Sequence, residues 1–220
     1  MGTLIPVEYI EGLTTAEVTE ILVPGEDEEE TEVFRERYFR SFDPESYGGN
    51  IADYKQKTKS IPGVGSVKVY PVWNGGGTVK LVIIDSEYQK PSSELVDQVQ
   101  TIIDPVQNQG MGLGVAPIGH VVTVEGVKER VVNISTNITY QQGWQWEDIK
   151  PYIEEAIDEY FLELIKEWED VDIIIRISQI ETRILGIEGV IDVGNTEING
   201  VAENLVLESD EIPVRGEIIG

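Results

Sequence analysis

The chain has 220 residues, and its 41 aspartates and glutamates against 16 lysines and arginines give a formal net charge of −25. This acid excess repels phosphate backbones and anionic lipid, which makes nucleic acids and membrane surfaces poor partners. The sequence contains no cysteine, which excludes disulfides, thiol catalysis and thiolate-ligated metals. It has neither a secretory signal nor an apolar run of the ~20 residues that span a bilayer. We therefore predict a soluble chain of one large or two small domains.

The first part of the sequence predicts an arm followed by a helix. Residues 1–26 hold short apolar alternation but too little material for a core, so we expect an N-terminal arm or the remnant of a preceding domain. Six acids in Glu26–Glu32 precede apolar residues at helical spacing. Because acids in a first turn complement the helix dipole, this pattern predicts a helix over 28–41 with a solvated acidic start rather than a metal site.

A short lysine-rich helix is predicted next, over 51–60. Its spacing places Ile51 and Tyr54 on one face. Three lysines near its end form the one basic cluster of the chain, and complementarity to the helix C-terminus is enough to explain them. These lysines are Lys55, Lys57 and Lys59.

The pattern changes to strands after residue 61. Two β-rich runs, 66–73 and 78–85, are joined across Asn74–Gly77, which predicts a hairpin. Pro71 indicates that the first of these strands is an edge strand or carries a bulge.

A helix and a glycine-rich loop follow the hairpin. Residues 91–105 predict a helix, because the apolar residues Leu95, Val99, Ile102 and Ile103 form one stripe. Glycines 110, 112 and 114 then permit backbone angles that a Cβ would forbid, and a β-branched strand is predicted over 119–125. Together these elements predict a β-β-α-β unit.

The second half opens with a strand over 131–140 and the longest helix, over 147–169, which Trp144 and Trp146 precede. A further helix is predicted over 174–186. The apolar stripe of the long helix consists of Ile149, Ile153, Ile157, Phe161, Leu164 and Trp168; that of the later helix consists of Ile177, Ile180, Ile184 and Leu185.

The last strands are predicted over 190–198 and 204–207, joined near Asn199 and Gly200, with a possible third over 212–214. An internal echo links the halves, since Ile61-Pro62-Gly63-Val64 and Ile187-Glu188-Gly189-Val190 each stand between a short helix and a strand.

The predicted fold is therefore α+β, with two tandem small mixed sheet-and-helix modules. Each module is expected to hold a hairpin-like strand pair and packing helices. The predicted divisions are an arm at 1–26, a first module at 27–126 and a second at 127–220.

A search for chemistry finds no catalytic, cofactor-binding or metal-ligating set. His120 has no neighbouring acid or nucleophile motif, and Ser66 does not lie in a nucleophile elbow. The glycines at 110–114 follow a helix and do not form a phosphate-binding motif. Asp170 and Asp172 are a pair that arises by chance among 41 acids. A carboxylate-dependent hydrolase and an acidic, cation-dependent binding module stay open, because neither requires a short motif.

The order and spacing of several segments resemble the baseplate J-like family of contractile-tail phages and prophages, including its XkdT-type and Mu-like wedge proteins. The resemblance covers about residues 14–220. Family members usually carry another domain before the acidic run, which predicts a C-terminal portion or a short variant. The segments are Gly25–Arg37, Ile61–Val69, Ala116–Val124, Ile187–Val193 and Glu211–Glu217.

The resemblance implies a structural role without catalysis in a tail baseplate, made in the host cytoplasm and assembled around a hub. It implies contacts with wedge, hub, sheath-side or fibre-side proteins and with copies of the chain. Candidate contact elements are the long helix with Trp144, Trp146 and Trp168, and the hairpin tip 74–77. Core packing is the alternative role for these tryptophans.

Overall fold

The computed structural model describes residues 4–17, 31–40 and 48–220. The chain divides into two compact units, Met1–Pro44 and Glu45–Gly220. In the first unit, helix α1 (Thr31–Arg40) confirms the predicted helix over its described part, and Glu32 in its first turn pairs with Arg35. The apolar alternation at 18–23 and the acids at 26–30 lie outside the described residues.

The second unit is a mixture of helices and short sheets, which confirms the predicted α+β class. It begins with α2 (Ile51–Lys59), β1 (Val64–Pro71), β2 (Thr78–Asp85), α3 (Ser93–Ile103), β3 (Val121–Gly126) and β4 (Lys128–Tyr140). It continues with α4 (Trp146–Lys166), β5 (Ile174–Ile175), α5 (Ile177–Leu185), β6 (Val190–Ile198), β7 (Leu205–Val206) and β8 (Glu211–Ile219).

The first three-stranded sheet has the order β1-β2-β3. The hairpin prediction is confirmed, because β1 and β2 pair antiparallel from Val64 opposite Asp85 to Pro71 opposite Val79. Strand β3 pairs parallel to β2, so α3 forms the crossover that a parallel pair requires. Pro71 ends the edge strand β1, as predicted.

The second sheet has the order β6-β4-β8, with β6 antiparallel and β8 parallel to the central strand β4. The predicted pairing of 204–207 with 190–198 is wrong. The turn at Asn199 and Gly200 is closed by one bridge between Ile198 and Val201, but β7 then pairs with β5.

Helix α4 ends at Lys166 and not at 169, and β4 begins at Lys128 and not at 131. Two other boundaries differ for reasons that the structure shows. The helix expected from 174 begins at Ile177, because Ile174 and Ile175 form β5; their β-branched side chains favour a strand. The strand expected over 212–214 extends over Glu211–Ile219, since the central strand β4 offers it a long parallel edge.

The buried residues form two hydrophobic clusters that share strand β2. Leu81 and Ile83 point into the cluster under α2 and α3, whereas Val82 and Ile84 point into the cluster around α4 and the second sheet. Because successive side chains of a strand point to opposite faces, β2 is buried on both sides. The two clusters are distinct but they meet at one strand.

Three residues of the helical stripes predicted for the second unit are exposed. Ile51 is the first residue of α2 and is 48% exposed. Ile102 on α3 and Leu185 on α5 each stand next to a buried residue in the sequence. Adjacent residues point about 100° apart around a helix, so only one residue of each pair faces the core. Ile103 and Ile184 occupy the core side instead.

The internal echo corresponds to one backbone conformation used twice. Gly63 and Gly189 have φ values of +95° and +94°. Each immediately precedes the first residue of an edge strand, Val64 in β1 and Val190 in β6. Both edge strands are antiparallel to the centre of their sheet. The shared turn therefore places a short helix against an edge strand in both halves.

Alanine at either of these glycines is expected to lower the free energy of unfolding by about 1–2 kcal/mol, because L residues are strained at positive φ. Gly189→Ala should cost more, since its Cβ would overlap the Trp144 ring, whereas Gly63→Ala would meet only the flexible Leu95 side chain at 3.2 Å. Urea unfolding measures both, with Gly76→Ala as a nearly neutral control. Equal stability of all three variants would contradict the prediction.

Candidate interaction sites

A partly buried ionic seam joins α2 and the first sheet to the end of α4. Glu169 follows α4, and its side chain is 13% exposed. Its Oε1 lies 3.0 Å from Lys55 Nζ, and its Oε2 lies 3.0 Å from Lys59 Nζ. Ser66 Oγ donates a hydrogen bond to Oε2 at 2.9 Å. One carboxylate thus links α2 and β1 to the second half of the chain.

Further polar contacts extend this seam along the first sheet. Lys68 Nζ lies 3.2 Å from Asp172 Oδ1, and Lys80 Nζ lies 3.8 Å from Asp210 Oδ2. Tyr70 donates a hydrogen bond from its hydroxyl to Ser209 Oγ at 3.0 Å. In the two ion pairs, the first half of the second unit supplies the lysine and the second half supplies the carboxylate.

The seam favours the ionised form of two of its carboxylates, Glu169 and Asp210. Although burial alone would raise the pKa of Glu169, hydrogen bonds from two lysines and a serine hold that pKa below its ordinary value. Burial likewise opposes ionisation of Asp210, but its contact with Lys128 lowers the pKa of that carboxyl. Partial burial alone would lower the pKa of Lys55, but its contacts with Glu169 and Asp170 raise that pKa above its ordinary value.

We expect Glu169→Gln to lower stability by about 1–2 kcal/mol at neutral pH, because it removes the carboxylate that pairs with Lys59 and one of the two that pair with Lys55. A glutamate whose pKa is lower in the folded state than in the unfolded state stabilises the fold at pH values above its unfolded pKa of ~4.3. This stabilisation is lost as the pH falls through the pKa of the folded state. The stability difference between wild type and variant should therefore shrink towards zero in acid. Urea unfolding from neutral to acid pH measures it, with exposed Glu167→Gln as the control. A difference independent of pH would contradict the ionic role.

The seam changes the interpretation of several residues singled out from the sequence. Lys57 pairs with Asp53 of its own helix at 2.8 Å and donates to the Val115 carbonyl at 3.4 Å. Lys55 and Lys59 instead reach the second half of the chain, which helix-end complementarity does not predict. Asp170 pairs with Lys55 at 3.3 Å. The hydroxyl of Ser66 donates its hydrogen bond to Glu169.

His120 contacts a buried tyrosine. Its Nδ1 lies 2.8 Å from the hydroxyl of Tyr54, and the two rings stack with centroids 6.0 Å apart. Burial, followed by the charges of Asp104 and Asp53, raises the pKa of Tyr54 above its ordinary value. This contact holds the start of β3 against α2.

The three tryptophans proposed as contact residues pack inside the second unit. Trp168 is fully buried. Trp144 and Trp146 are half-buried against the same hydrophobic cluster. These positions agree with the core-packing alternative.

Two buried polar side chains, one on α3 and one directly after it, fix the glycine loop and the outer edge of β3. Asp104 accepts hydrogen bonds from the backbone N–H groups of Gly110 and Val122, at 3.1 and 2.9 Å. Gln100 donates to the Val122 carbonyl at 3.0 Å and accepts from the Val124 N–H at 2.8 Å. Sequence analysis missed both residues, because a polar residue on an amphipathic helix gives no sign that it is buried.

The hairpin tip and the glycine loop lie at the same end of the first sheet. The Val121 N–H donates to the Gly77 carbonyl at 2.8 Å, which joins the two segments. We call the apolar surface on them the loop-end patch. Its members, all exposed, are Val72, Trp73, Val106, Met111, Leu113 and Ile118.

The described residues include no group of three or more histidines, aspartates or glutamates that could hold a metal ion. An open groove of about 430 Å³ lies between α4, β8 and the turn after β2; Asp158, Phe161 and Arg215 are among its lining residues. Arg215 bridges it with a two-point contact to Asp158, at 2.7 and 3.0 Å. No described helix is both long and apolar enough to cross a membrane.

Comparisons with known proteins agree with the fold and with the resemblance seen in the sequence. The family model of the baseplate J-like central domain matches residues 46–126, and that of the baseplate J-like protein C-terminal domain matches residues 132–219.

Two proteins of Bacillus subtilis (strain 168) are similar over 98% of this chain. They are the phage-like element PBSX protein XkdT, 39% identical over 215 residues, and the uncharacterized protein YqbT, 40% identical over 215 residues. The chain spans 60% of the length of each.

Among solved structures, a chain of the anti-feeding prophage baseplate, determined by cryo-EM and 6-fold symmetrised, shares the fold with a TM-score of 0.56. The match has 10% sequence identity and covers 86% of this chain and 42% of that chain. The predicted resemblance is confirmed by the two family models, and the chain belongs to the baseplate J-like family.

Proposed function

We propose that this chain is a structural subunit of the baseplate of a phage or prophage contractile tail and that it performs no catalysis. The observation that carries the proposal is the pair of family domains, which together span most of the chain. The geometry fits this role, because the polar side chains singled out from the sequence are engaged in structural contacts. Ser66 and Asp170 belong to the ionic seam, and His120 holds β3 against α2.

The second unit has the properties of a rigid building block. Strand β2 is buried on both faces, and the seam around Glu169 adds ion pairs between the two halves. A subunit that positions other proteins needs such a fixed internal geometry. We propose that 27–126 and 127–220 are two modules of the chain and that 1–26 is an arm before them.

The proposed partners are other baseplate proteins: wedge and hub components, sheath-side or fibre-side proteins, and copies of this chain. The proposed location is the tail baseplate, after synthesis in the bacterial host cytoplasm. Nucleic acid and membrane are not proposed partners, because the net charge of −25 opposes both.

Co-expression with other baseplate proteins of the same phage or prophage tests this role. We expect the chain to co-purify with at least one of them as a complex of defined mass, measured by size-exclusion chromatography with light scattering. An unrelated tail protein from the same host serves as the control. A chain that stays separate from every neighbouring baseplate protein would contradict the proposal.

A further inference from the structure

The groove between α4 and β8 continues along the helix. Its hollow of about 430 Å³ adjoins a second hollow of about 480 Å³, because Asp158, Leu162 and Arg215 line both. The second hollow extends along α4 as far as Pro151, and the first reaches Ile165. Since an α-helix rises 1.5 Å per residue, this stretch is about 21 Å long. We call the combined surface the α4 groove, and its length is that of a short protein segment.

The floor of the α4 groove is apolar. Phe161 and Ile165 line it from the helix, and Ile212 and Val214 line it from β8. Where the two hollows meet, Leu162 is 38% exposed. Burial of such apolar area against a partner is favourable in proportion to the area removed from water. The floor therefore offers a partner an apolar contact along the helix.

The walls of the α4 groove carry more acids than bases. Arg215 offsets two of the acids, since its Nε lies 2.7 Å from Asp158 Oδ1 and its Nη1 lies 3.4 Å from Glu154 Oε1. Lys90 Nζ lies 4.0 Å from Glu129 Oε2. The acidic lining residues are Glu87, Glu129, Glu154, Glu155, Asp158 and Glu159, and the basic ones are Lys90 and Arg215.

Three of these carboxylates have no cationic partner in the part of the chain that the structure describes. Glu155 and Glu159 are exposed on consecutive turns of α4, and Glu87 is exposed in the turn after β2. Like charges four residues apart on a helix repel each other. A cation placed beside them would remove this repulsion and gain an attraction.

The basic side chains of a protein fit this arrangement better than a metal ion does. The described residues include no group of three or more carboxylates or histidines that could share one ion. Lysine and arginine side chains are long, and each can reach a separate carboxylate while its alkyl stem covers apolar surface. Nucleic acid and anionic lipid would be repelled by the same carboxylates. The groove therefore matches a partner that is both basic and apolar.

We propose that the α4 groove binds a basic segment of another baseplate protein, in which lysine or arginine residues flank an apolar anchor. The basic side chains pair with Glu155 and Glu159 on the helix and with Glu87 across the groove. The anchor covers Leu162 and contacts the apolar floor. This inference rests on the proposed baseplate role, and it adds the surface that is used and the chemical character of the partner.

A synthetic peptide tests the groove directly. The probe is a fluorescent peptide of about 14 residues, long enough to span the groove as a helix, with leucines on one face and lysines on the other. We expect fluorescence anisotropy to give a Kd on the order of 10 µM at low salt. Affinity should fall at least ~10-fold in about 0.5 M NaCl. The same peptide with glutamate in place of lysine should not bind. Equal behaviour of the two peptides, or an affinity that salt leaves unchanged, would overturn the proposal.

Two double variants of equal charge locate the contact. Glu155→Lys with Glu159→Lys reverses two carboxylates of the groove and should weaken peptide binding at least ~10-fold. Glu188→Lys with Glu203→Lys makes the same change in net charge at exposed residues that line neither hollow, and it should weaken binding less than about 2-fold. All four positions are exposed, so thermal unfolding should match the wild type. Equal losses would mean that the peptide responds to total charge, and the groove assignment would fail.

A second pair of variants tests the apolar part of the contact. Leu162→Ala should weaken peptide binding about 3–10-fold at low and at high salt, because the lost contact is apolar. Leu185→Ala makes the same change at a side chain that is 50% exposed on α5 and should leave binding unchanged. An affinity that Leu162→Ala does not alter would exclude the apolar anchor and overturn the proposal.

Co-expression separates this inference from the baseplate role. If the wild type and the variant with Glu155→Lys and Glu159→Lys co-purify equally well with a baseplate protein, the proposed function stands and the groove assignment fails. If the peptide binds in the groove but the chain joins no baseplate protein, the preference for a basic segment stands and the proposed function fails. Self-association of the wild type that this variant abolishes would identify the occupant as a second copy and overturn the assignment to another protein.

Discussion

Replacing Trp168 with alanine is expected to lower the free energy of unfolding by about 3–5 kcal/mol, the range for removing a large buried aromatic side chain. The side chain is fully buried in the cluster around α4. Lys68 Nζ lies 4.9 Å from its ring centroid, so the ring also supports a lysine of the ionic seam. Its loss leaves a cavity at the point where the two halves of the second unit meet.

Trp168→Phe is the matched control, because it keeps an aromatic ring but removes the indole N–H. That Nε1 is buried and has no hydrogen-bond partner in the part of the chain the structure describes, so its removal relieves a desolvation cost. We expect the phenylalanine variant to lose far less stability than the alanine variant. Urea unfolding compares them, and equal losses would show that the N–H is satisfied and that ring volume is not the main contribution.

Asp104→Ala is expected to lower the free energy of unfolding by about 2–3 kcal/mol. Asp104 is 1% exposed and accepts hydrogen bonds from the N–H groups of Gly110 and Val122. Hydrogen bonds to a charged group are stronger than neutral ones, and a buried donor left without an acceptor keeps its full desolvation cost. The substitution therefore releases the glycine loop from β3.

The loss should be local as well as global. Amide hydrogen exchange at Gly110 and Val122 should accelerate in Asp104→Ala beyond the change expected from global stability alone. Asp97→Ala, an exposed change on the preceding helix α3, is the control and should be nearly neutral. Unchanged exchange at both amides would contradict the role assigned to the carboxylate.

Much of the local structure is predictable from the sequence because it follows from short-range periodicity. The alternation of β4 and the stripe of α4 each identify the buried face, from Val132 and Ile134 to Ile149 and Ile153. The hairpin at Asn74–Gly77 is predictable from its turn residues. These signals depend on neighbours within a few positions, and tertiary contacts do not change them.

What the sequence does not predict depends on residues far apart in the chain. The pairing of β7 with β5 joins segments about 30 positions apart, and no turn residue specifies it. The partners of Lys55 and Lys59 lie more than 100 positions away. With so many carboxylates, local charge patterns cannot identify the partner. The loop-end patch was similarly missed, because glycine and apolar residues in a loop do not indicate which of them point outwards.

The burial of β2 on both faces has a consequence for any attempt to isolate the halves. A fragment ending at Gly126 would turn Val82 and Ile84 towards water, although its own helices would still cover Leu81 and Ile83. We expect such a fragment to precipitate or to require a solubilising fusion, whereas Glu45–Gly220 should melt in a single cooperative transition. Replacing one half with the corresponding half of another family member should succeed only under two conditions. The new half must present a matching apolar face, and its charges must be opposite to those of the half that is kept.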